Sequence, residues 1–392
     1  MSPIGLFWQT ASDMTFNMKI HKLLYVALVF IMTVATGCSA ATPVPPTVPP
    51  TALPPTATVP AKTPLVVFAA GSLIGPFGHL AKAFEAQYPS IEVQAEYHGS
   101  IQVIRHVTEL HIPIDVVATA DYALIPQLMY ATNVPETGHP YASSYIRFAT
   151  NKLGIAYSAK SRYAGEINTD NWMDILTRPD VKVGIADPRF DATGYRALMV
   201  YKLAESIYPQ HDDLFNQMFD YQFTHPMLVS DEDGVTVVRV PEIFETRQDA
   251  HVVLRGASIQ LIALIESGDL DYAFEYESVI QQHSLQLVHL PDTLNLGSPD
   301  QAANYGQVLV RLDFKRFASV KPEFRGDQIG YGVTIPSNAP HPEAAIQFIA
   351  FLLGPEGRKI MEADHHPLLN PVVGYHYDLL PPALKALCAP AP

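Results

Sequence analysis

Five polar side chains sit where apolar runs of the sequence end: Ser72, Ser100, Asp121, Asp191 and Glu275. Ser72 and Ser100 each follow a glycine, in Ala69-Ala70-Gly71-Ser72 and His98-Gly99-Ser100, just before a helical pattern begins. At such a turn the unpaired N–H groups of the helix start and the helix dipole favour an anion. A glycine lets the backbone come close, and a serine hydroxyl adds a donor. The same serines would also serve as plain N-caps. On spacing alone Asp121 caps the helix that follows it. Asp191 fits a loop cap, and Glu275 fits an ion pair with a base such as Arg196, since buried carboxylates are rarely left alone. Arg105 and Arg196 could balance cleft charge or lie on a helix face. His98 and His106 fall close by without a further ligand at metal-site spacing, and His365-His366 reads as a solvated turn.

The elements that must position these residues follow a repeated strand, turn and helix pattern. Leu65–Ala70 is an apolar run suited to a buried strand. It is followed by a helical spacing from Phe77 to Tyr88, a strand from Ile91 to Tyr97 and a helix from Ile101 to Leu110. A strand at Asp115–Ala118 and a helix at Ala123–Tyr130 complete the first series. After Phe148 the pattern resumes, with strands at Leu153–Tyr157, Val181–Ala186 and Tyr272–Tyr276. Helices are expected at Asn171–Leu176, Tyr195–Ile207 and Ile259–Ile265. Later strands fall at Tyr305–Leu312 and Tyr331–Ile335. The amphipathic helix Pro342–Leu353 has Ala345, Phe348, Ile349 and Leu352 on one face. Alternating strands and helices predict an α/β fold with mostly parallel sheets flanked by helices. Two such series predict two lobes, with ligands held beyond the strand ends in the cleft between them.

The first forty residues are of another kind. Met18-Lys19-Ile20-His21-Lys22 is basic and Leu23–Val34 almost wholly apolar, too short for a membrane span but suited to a signal peptide. The run ends in Ala35-Thr36-Gly37-Cys38, which resembles a bacterial lipoprotein cleavage box, and that resemblance makes Cys38 the lipidated first residue of the mature chain. An ordinary secretory signal is the alternative. Ala41–Pro64 is a Pro/Thr-rich tether with a single charge, Lys62, a semi-rigid spacer. A formal charge of -14 over 392 residues argues against nucleic acid as a partner. With two cysteines, Cys38 and Cys388, neither a disulfide framework nor a cysteine metal site is expected. The expected organisation is a signal peptide at 1–38, a tether at 39–64 and a discontinuous lobe I at 65–145 plus 305–377. Lobe II is placed at 146–304 and a tail at 378–392.

Ala69-Ala70-Gly71-Ser72-Leu73 with Pro76-Phe77 resembles the first loop of the archaeal-type tungstate/molybdate-binding proteins. Val107-Thr108-Glu109-Leu110, Ala120-Asp121-Tyr122, Phe148-Ala149-Thr150-Asn151 and Asp170-Asn171-Trp172 resemble further segments in order. So do Gly194-Tyr195-Arg196, Asp271-Tyr272-Ala273-Phe274-Glu275-Tyr276 and Tyr331-Gly332-Val333-Thr334-Ile335-Pro336. The likeness runs from about Leu65 to His376. It implies a two-lobed type II periplasmic-binding-protein fold and a lipid-anchored, extracytoplasmic binding protein that delivers molybdate or tungstate to the permease of an ABC importer. It implies no catalysis and no cofactor beyond that ligand. Carried over residue by residue, it makes Ser72, Ser100, Asp191 and Glu275 the oxyanion ligands, with the two carboxylates on the molybdenum or tungsten centre. The loop before Gly194 departs from the family pattern: Ala192-Thr193 stands where Pro-Cys is usual, and Arg189-Phe190 where an Asn-Asp pair is usual.

Two carboxylates beside a tetrahedral dianion would repel it. They become ligands if the central atom is a large hard ion able to expand from four oxygens to six, as hexavalent molybdenum and tungsten are and sulfur and phosphorus are not. Such a pocket would discriminate against sulfate and phosphate. Three other readings stand beside this one. The same fold could bind sulfate or another small anion. A secreted hydrolase could use the Asp191/Glu275 pair, although no nucleophile elbow, zinc helix or P-loop accompanies it. A surface lipoprotein could make protein contacts alone.

Overall fold

The strand Thr63–Ala70 is buried from Val67 to Ala70, with Leu65 also buried and Val66 half-buried, and lies next to the edge strand of a seven-stranded sheet. It pairs in parallel with Ile91–His98 on one side and Val116–Thr119 on the other. Helices Ile74–Gln87 and Ser100–Thr108 make the return crossings that parallel pairing requires. Phe77, Leu80 and Phe84 bury one stripe of the first helix, and Phe84 meets Phe348 of helix Pro342–Leu353 edge to face. This computed structural model describes residues 61–314 and 322–392. Cys38, the signal segment and most of the tether lie outside the described residues.

Beyond Val116–Thr119 the sheet continues through Gly330–Thr334, Tyr145–Thr150, Leu368–Tyr375 and Cys388–Pro390. A second sheet of five strands runs in the order Gln286–His289, Leu153–Tyr157, Tyr272–Tyr276, Val183–Ala186, Val252–Arg255. Helix Ala192–Ile207 packs against its strands Val183–Ala186 and Tyr272–Tyr276, and is buried along most of its length. It also packs against helix Leu214–Phe219 and against a four-stranded sheet ordered Glu323–Arg325, Val308–Asp313, Val235–Pro241, Leu228–Glu232. Trp172 is fully buried, edge to face with Tyr201 of that helix and Phe274 of the second sheet.

The α/β class is as expected, but the sheets are mixed rather than mostly parallel. In the first sheet Gly330–Thr334 is antiparallel to both of its neighbours, and Leu368–Tyr375 is antiparallel to Tyr145–Thr150. In the second, Leu153–Tyr157 is antiparallel to both of its neighbours. Gly330–Thr334 enters the first sheet directly from Glu323–Arg325 of the four-stranded sheet, with no crossover helix before it to keep direction. Sheet membership also departs from the expected boundaries. Tyr145–Thr150 completes the first sheet, and Cys388–Pro390 joins that sheet from the tail. Val308–Asp313, assigned by sequence to lobe I, pairs instead with Val235–Pro241 in the small sheet. The helix expected at Ala123–Tyr130 is a short wide turn, Ile125–Met129, with Pro126 inside it.

Candidate functional site

Neither serine occupies an N-cap position. Ser72 is the middle residue of the single-turn helix Gly71–Leu73, and its Oγ lies 2.9 Å from the Tyr331 hydroxyl. Tyr331 in turn accepts a hydrogen bond from Asn151 Nδ2 at 3.2 Å, and the same nitrogen donates to Ser278 Oγ at 2.8 Å. Ser100 is the first residue of its helix, capped by Gly99. Its Oγ accepts from the Ala120 amide at 2.9 Å and donates to nothing among the described residues. The Ser100 hydroxyl hydrogen therefore remains available to an acceptor in the cleft.

Asp191 caps helix Ala192–Ile207: one carboxylate oxygen accepts from Thr193 N at 2.8 Å and the other from Ser258 N at 3.1 Å. Burial raises its pKa, and the two amide bonds pull the other way. The capping role considered from sequence is thus real, and it fixes the carboxylate in place. Gly194 makes this possible, because a Cβ there would lie 2.2 Å from the Ala186 carbonyl oxygen at the preceding strand end.

Glu275 has no such set of partners. It is the fourth residue of strand Tyr272–Tyr276 and 1% exposed. Its Oε1 accepts from the Tyr276 amide at 2.7 Å, while its buried Oε2 makes no well-formed hydrogen bond, although the nearby Ser258 side chain helps hold its pKa down. Burial pushes its pKa up to about 8, and the nearby Asp191 charge adds to the rise. The ion pair with Arg196 is not formed. Arg196 donates to the Ala120 carbonyl at 2.8 Å and the Tyr276 hydroxyl at 2.5 Å, and lies 3.4 Å from Asp121 Oδ2. Asp121 does not cap the helical turn that follows, where Leu124 holds the cap position; it accepts from Ala123 N at 3.0 Å in a local turn and from the Tyr195 hydroxyl at 2.6 Å. An unpaired buried carboxylate oxygen beside a second buried carboxylate is a costly arrangement unless a cation, a proton or an electrophilic centre meets it.

The two lobes meet at this seam. A Cβ on Gly99 would lie 2.4 Å from the Phe190 carbonyl oxygen and 3.1 Å from Asp191 Cα, and one on Gly71 would lie 3.2 Å from Ile259 Cγ2. Ser100 is thereby brought beside the Asp191 loop. The Tyr331 ring, bonded through its hydroxyl to Ser72, lies 5.9 Å from the Tyr276 ring that follows Glu275. All four expected ligands thus converge on one interlobe seam. The helix-end amides expected to cradle an anion at Ser100 are in part already used, since Ile101 N and Gln102 N donate to Phe190 O at 3.0 and 3.3 Å. Tyr331, Asn151, Tyr276 and Ser258 escaped the sequence reading because their roles depend on contacts between segments far apart in the chain. A cavity of about 880 Å³ takes in Asp121, Tyr195 and Arg196 but none of the four.

The histidines resolve differently. The His98 and His106 rings lie 4.6 Å apart, tilted by 48°, beside Phe68, and the described residues contain no cluster suited to a metal ion. His366 is not in a solvated turn. It is 0% exposed, edge-on to the Tyr331 ring at 4.4 Å, with its pKa lowered by burial to about 3. Its neighbour His365 is exposed with φ 57°, and this residue makes the turn.

Residues 65–365 match the family described as bacterial extracellular solute-binding proteins. The chain is 38% identical over 323 residues to an uncharacterised solute-binding protein of Methanoculleus marisnigri, covering 82% of this chain and 86% of that one. It is 38% identical over 321 residues to the molybdate/tungstate-binding protein WtpA of Thermococcus kodakarensis, covering 80% and 84%. Identity to the protein of the same name from Pyrococcus abyssi is 37% over 321 residues, covering 79% and 86%. A seam of buried polar groups between two α/β lobes and a family match across most of the described fold agree: the chain belongs to the bacterial extracellular solute-binding protein family.

Proposed function

We propose that this protein captures molybdate or tungstate between its lobes and hands it to the permease of an ABC importer, without catalysis. The observation that carries this reading is the unpartnered, buried Oε2 of Glu275 beside the buried carboxylate of Asp191. A hexavalent metal centre supplies what both carboxylates lack, and relatives at 37–38% identity carry the molybdate/tungstate-binding name. Ser72 and Ser100 would donate hydroxyls to the oxyanion's outer oxygens, and Asp191 and Glu275 would complete the metal's shell. Sulfate is the second reading, and it is disfavoured by the same carboxylates, since its sulfur cannot accept them. Calorimetric titration with molybdate, tungstate, sulfate and phosphate tests the choice. Binding of the first two alone is expected, and equal or tighter binding of sulfate would overturn the assignment.

Capture between lobes implies closure on the ligand. Lobe I is taken as the body built on the seven-stranded sheet, and lobe II as the part built on the five-stranded one. Small-angle scattering is expected to show a smaller radius of gyration when tungstate is added to open protein. An unchanged profile at saturation would speak against a closing cleft.

The extracytoplasmic placement follows the family, and the anchor is a further element of the proposal. Cys38, next to a Pro/Thr-rich tether, would carry lipid and hold the domain at the membrane. Cys38→Ser is expected to release the protein into the soluble fraction or to leave an uncleaved precursor. Retention of lipid label and membrane association in that variant would rule the anchor out.

A further inference from the structure

The lobes are joined at the seam by a contact that owes nothing to ligand atoms. Helix Ser100–Thr108 begins in lobe I, and its early amides have no partners within the helix. Ile101 N and Gln102 N both donate to the backbone carbonyl of Phe190, which belongs to lobe II. Val103 N, by contrast, bonds within its own segment, to Gly99 O at 2.9 Å. The carbonyl dipole of Phe190 thus meets the positive end of a lobe I helix, where negative partial charge is favoured. Its approach depends on the absence of a side chain at Gly99. A Cβ there would stand 2.4 Å from Phe190 O and 2.8 Å from its carbonyl carbon, and both are backbone atoms that cannot swing aside. Gly99 adopts an extended φ of -60°, so conformational freedom is not what the glycine supplies.

We infer that Phe190 O and Gly99 form a closure clasp, in which a lobe II carbonyl caps a lobe I helix and so sets the position of Asp191, the next residue. The functional reading enters only in what the clasp serves, the delivery of one carboxylate ligand to the site. The helix end then divides its donors: two go to the opposite lobe, and the Ser100 hydroxyl is left for the ligand. Closure costs the helix no unsatisfied amides, because water on Ile101 N and Gln102 N in the open form is exchanged for a protein carbonyl. A second interlobe contact lies at the rim, where Gln282 Nε2 donates to the Asp364 carbonyl at 2.6 Å. Gln282 Oε1 lies 3.0 Å from where a Gly75 Cβ would be. This contact is made by a flexible side chain, so it follows closure and does not dictate its geometry.

The rim contact provides a reporter that needs no ligand. In the full chain with Cys38→Ser and Cys388→Ser, the pair Gly75→Cys and Gln282→Cys would be joined by a short bifunctional thiol reagent only when the lobes close. Adding Gly99→Ala is expected to slow that cross-linking at least tenfold. Gly78→Ala, whose Cβ meets nothing within 4 Å, should leave the rate unchanged. Equal rates with and without Gly99→Ala would overturn the clasp. Amide exchange in the unsubstituted protein is a test that no folding defect can obscure. Tungstate should slow exchange at Ile101 and Gln102 at least tenfold and leave Val103 nearly unchanged. Tungstate binding without protection of Ile101 and Gln102 would likewise overturn the clasp. Failure of the unsubstituted protein to bind tungstate would instead remove the functional reading, and the cross-linking comparison would still decide the clasp.

Discussion

Glu275→Gln is expected to weaken tungstate binding at least tenfold, about 1.4 kcal/mol, while sulfate binding holds or improves. The amide keeps the shape of the side chain and can keep the bond that Glu275 Oε1 accepts from Tyr276 N. What changes is the other terminal atom, the buried oxygen that has no partner. As a carboxylate oxygen it can bond a hexavalent metal centre. As an amide nitrogen it cannot, but it becomes a donor facing the seam, which suits an oxygen of sulfate. Where Glu275 is ionised, the mutation also removes a charge that repels any anion held beside Asp191. A merely structural carboxylate would respond otherwise, since its loss would weaken all anions alike. X-ray absorption on the tungstate complex gives an independent measure. A six-oxygen shell that loses a ligand in the variant is expected, and a four-oxygen tetrahedral shell in the parent would sink the coordination scheme.

The second large effect is a pH dependence. Glu275 has its pKa pushed up to about 8, first by burial and then by Asp191. Below that value the closed, empty pocket holds a proton on Glu275, and coordination to a metal centre must expel it. For protein that rests closed when empty, apparent tungstate affinity should therefore rise about tenfold per pH unit from pH 6 towards 8 and level off above it. At pH 7 close to one proton should be released per tungstate bound, measurable by calorimetry in buffers of different ionisation enthalpy. The same shift predicts the sign for folding. The folded-state pKa lies above the ordinary 4.5, so this group's contribution to stability is fully present below 4.5 and lost as pH rises through about 8. Bound tungstate should remove that decline, and Glu275→Gln should remove both the decline and the affinity slope. Affinity that stays flat between pH 6 and 8, with no proton release, would show that Glu275 is already ionised in the free protein.

Local signals in the sequence were reliable where one helix or one buried run set the structure. Helix Pro342–Leu353 and strands Leu153–Tyr157 and Tyr272–Tyr276 appear with the bounds that their apolar spacing indicated. The glycine-serine turns lie where apolar runs stop, and Glu275 lies within one of the segments that resemble the family, whereas Asp191 sits on a loop that departs from it. What escaped depends on partners distant in the chain. Strand direction is one example: an apolar run of five residues looks the same whether its neighbour runs with it or against it. The two roles of Asp191 are another, since Ser258 N, which donates to its second oxygen, lies 67 residues away. His366 reads as polar and beside a turn, yet the fold places its ring under Tyr331. One missed element did carry a local signal. Asp233-Gly234 joins Leu228–Glu232 to Val235–Pro241 with φ of 54° and 78°, the left-handed pair that a tight hairpin turn takes from an Asp-Gly sequence.

The paired carboxylates also bear on how an importer would avoid wasting nucleotide. Shutting the lobes around nothing encloses two acidic groups in a site that water has left. The upward shift at Glu275, from 4.5 to about 8, puts the penalty for shutting with both ionised on the order of several kcal/mol. Cargo offsets that penalty, because its metal centre takes an electron pair from each buried carboxylate. A transporter that responds to the shut form would then rarely meet an unloaded one, so idle turnover would be suppressed by the chemistry of the pocket itself. Once the lobes are pulled apart, solvent returns to both acids and the metal can relax to four oxygens, so the grip that excludes sulfate also loosens at the point of delivery.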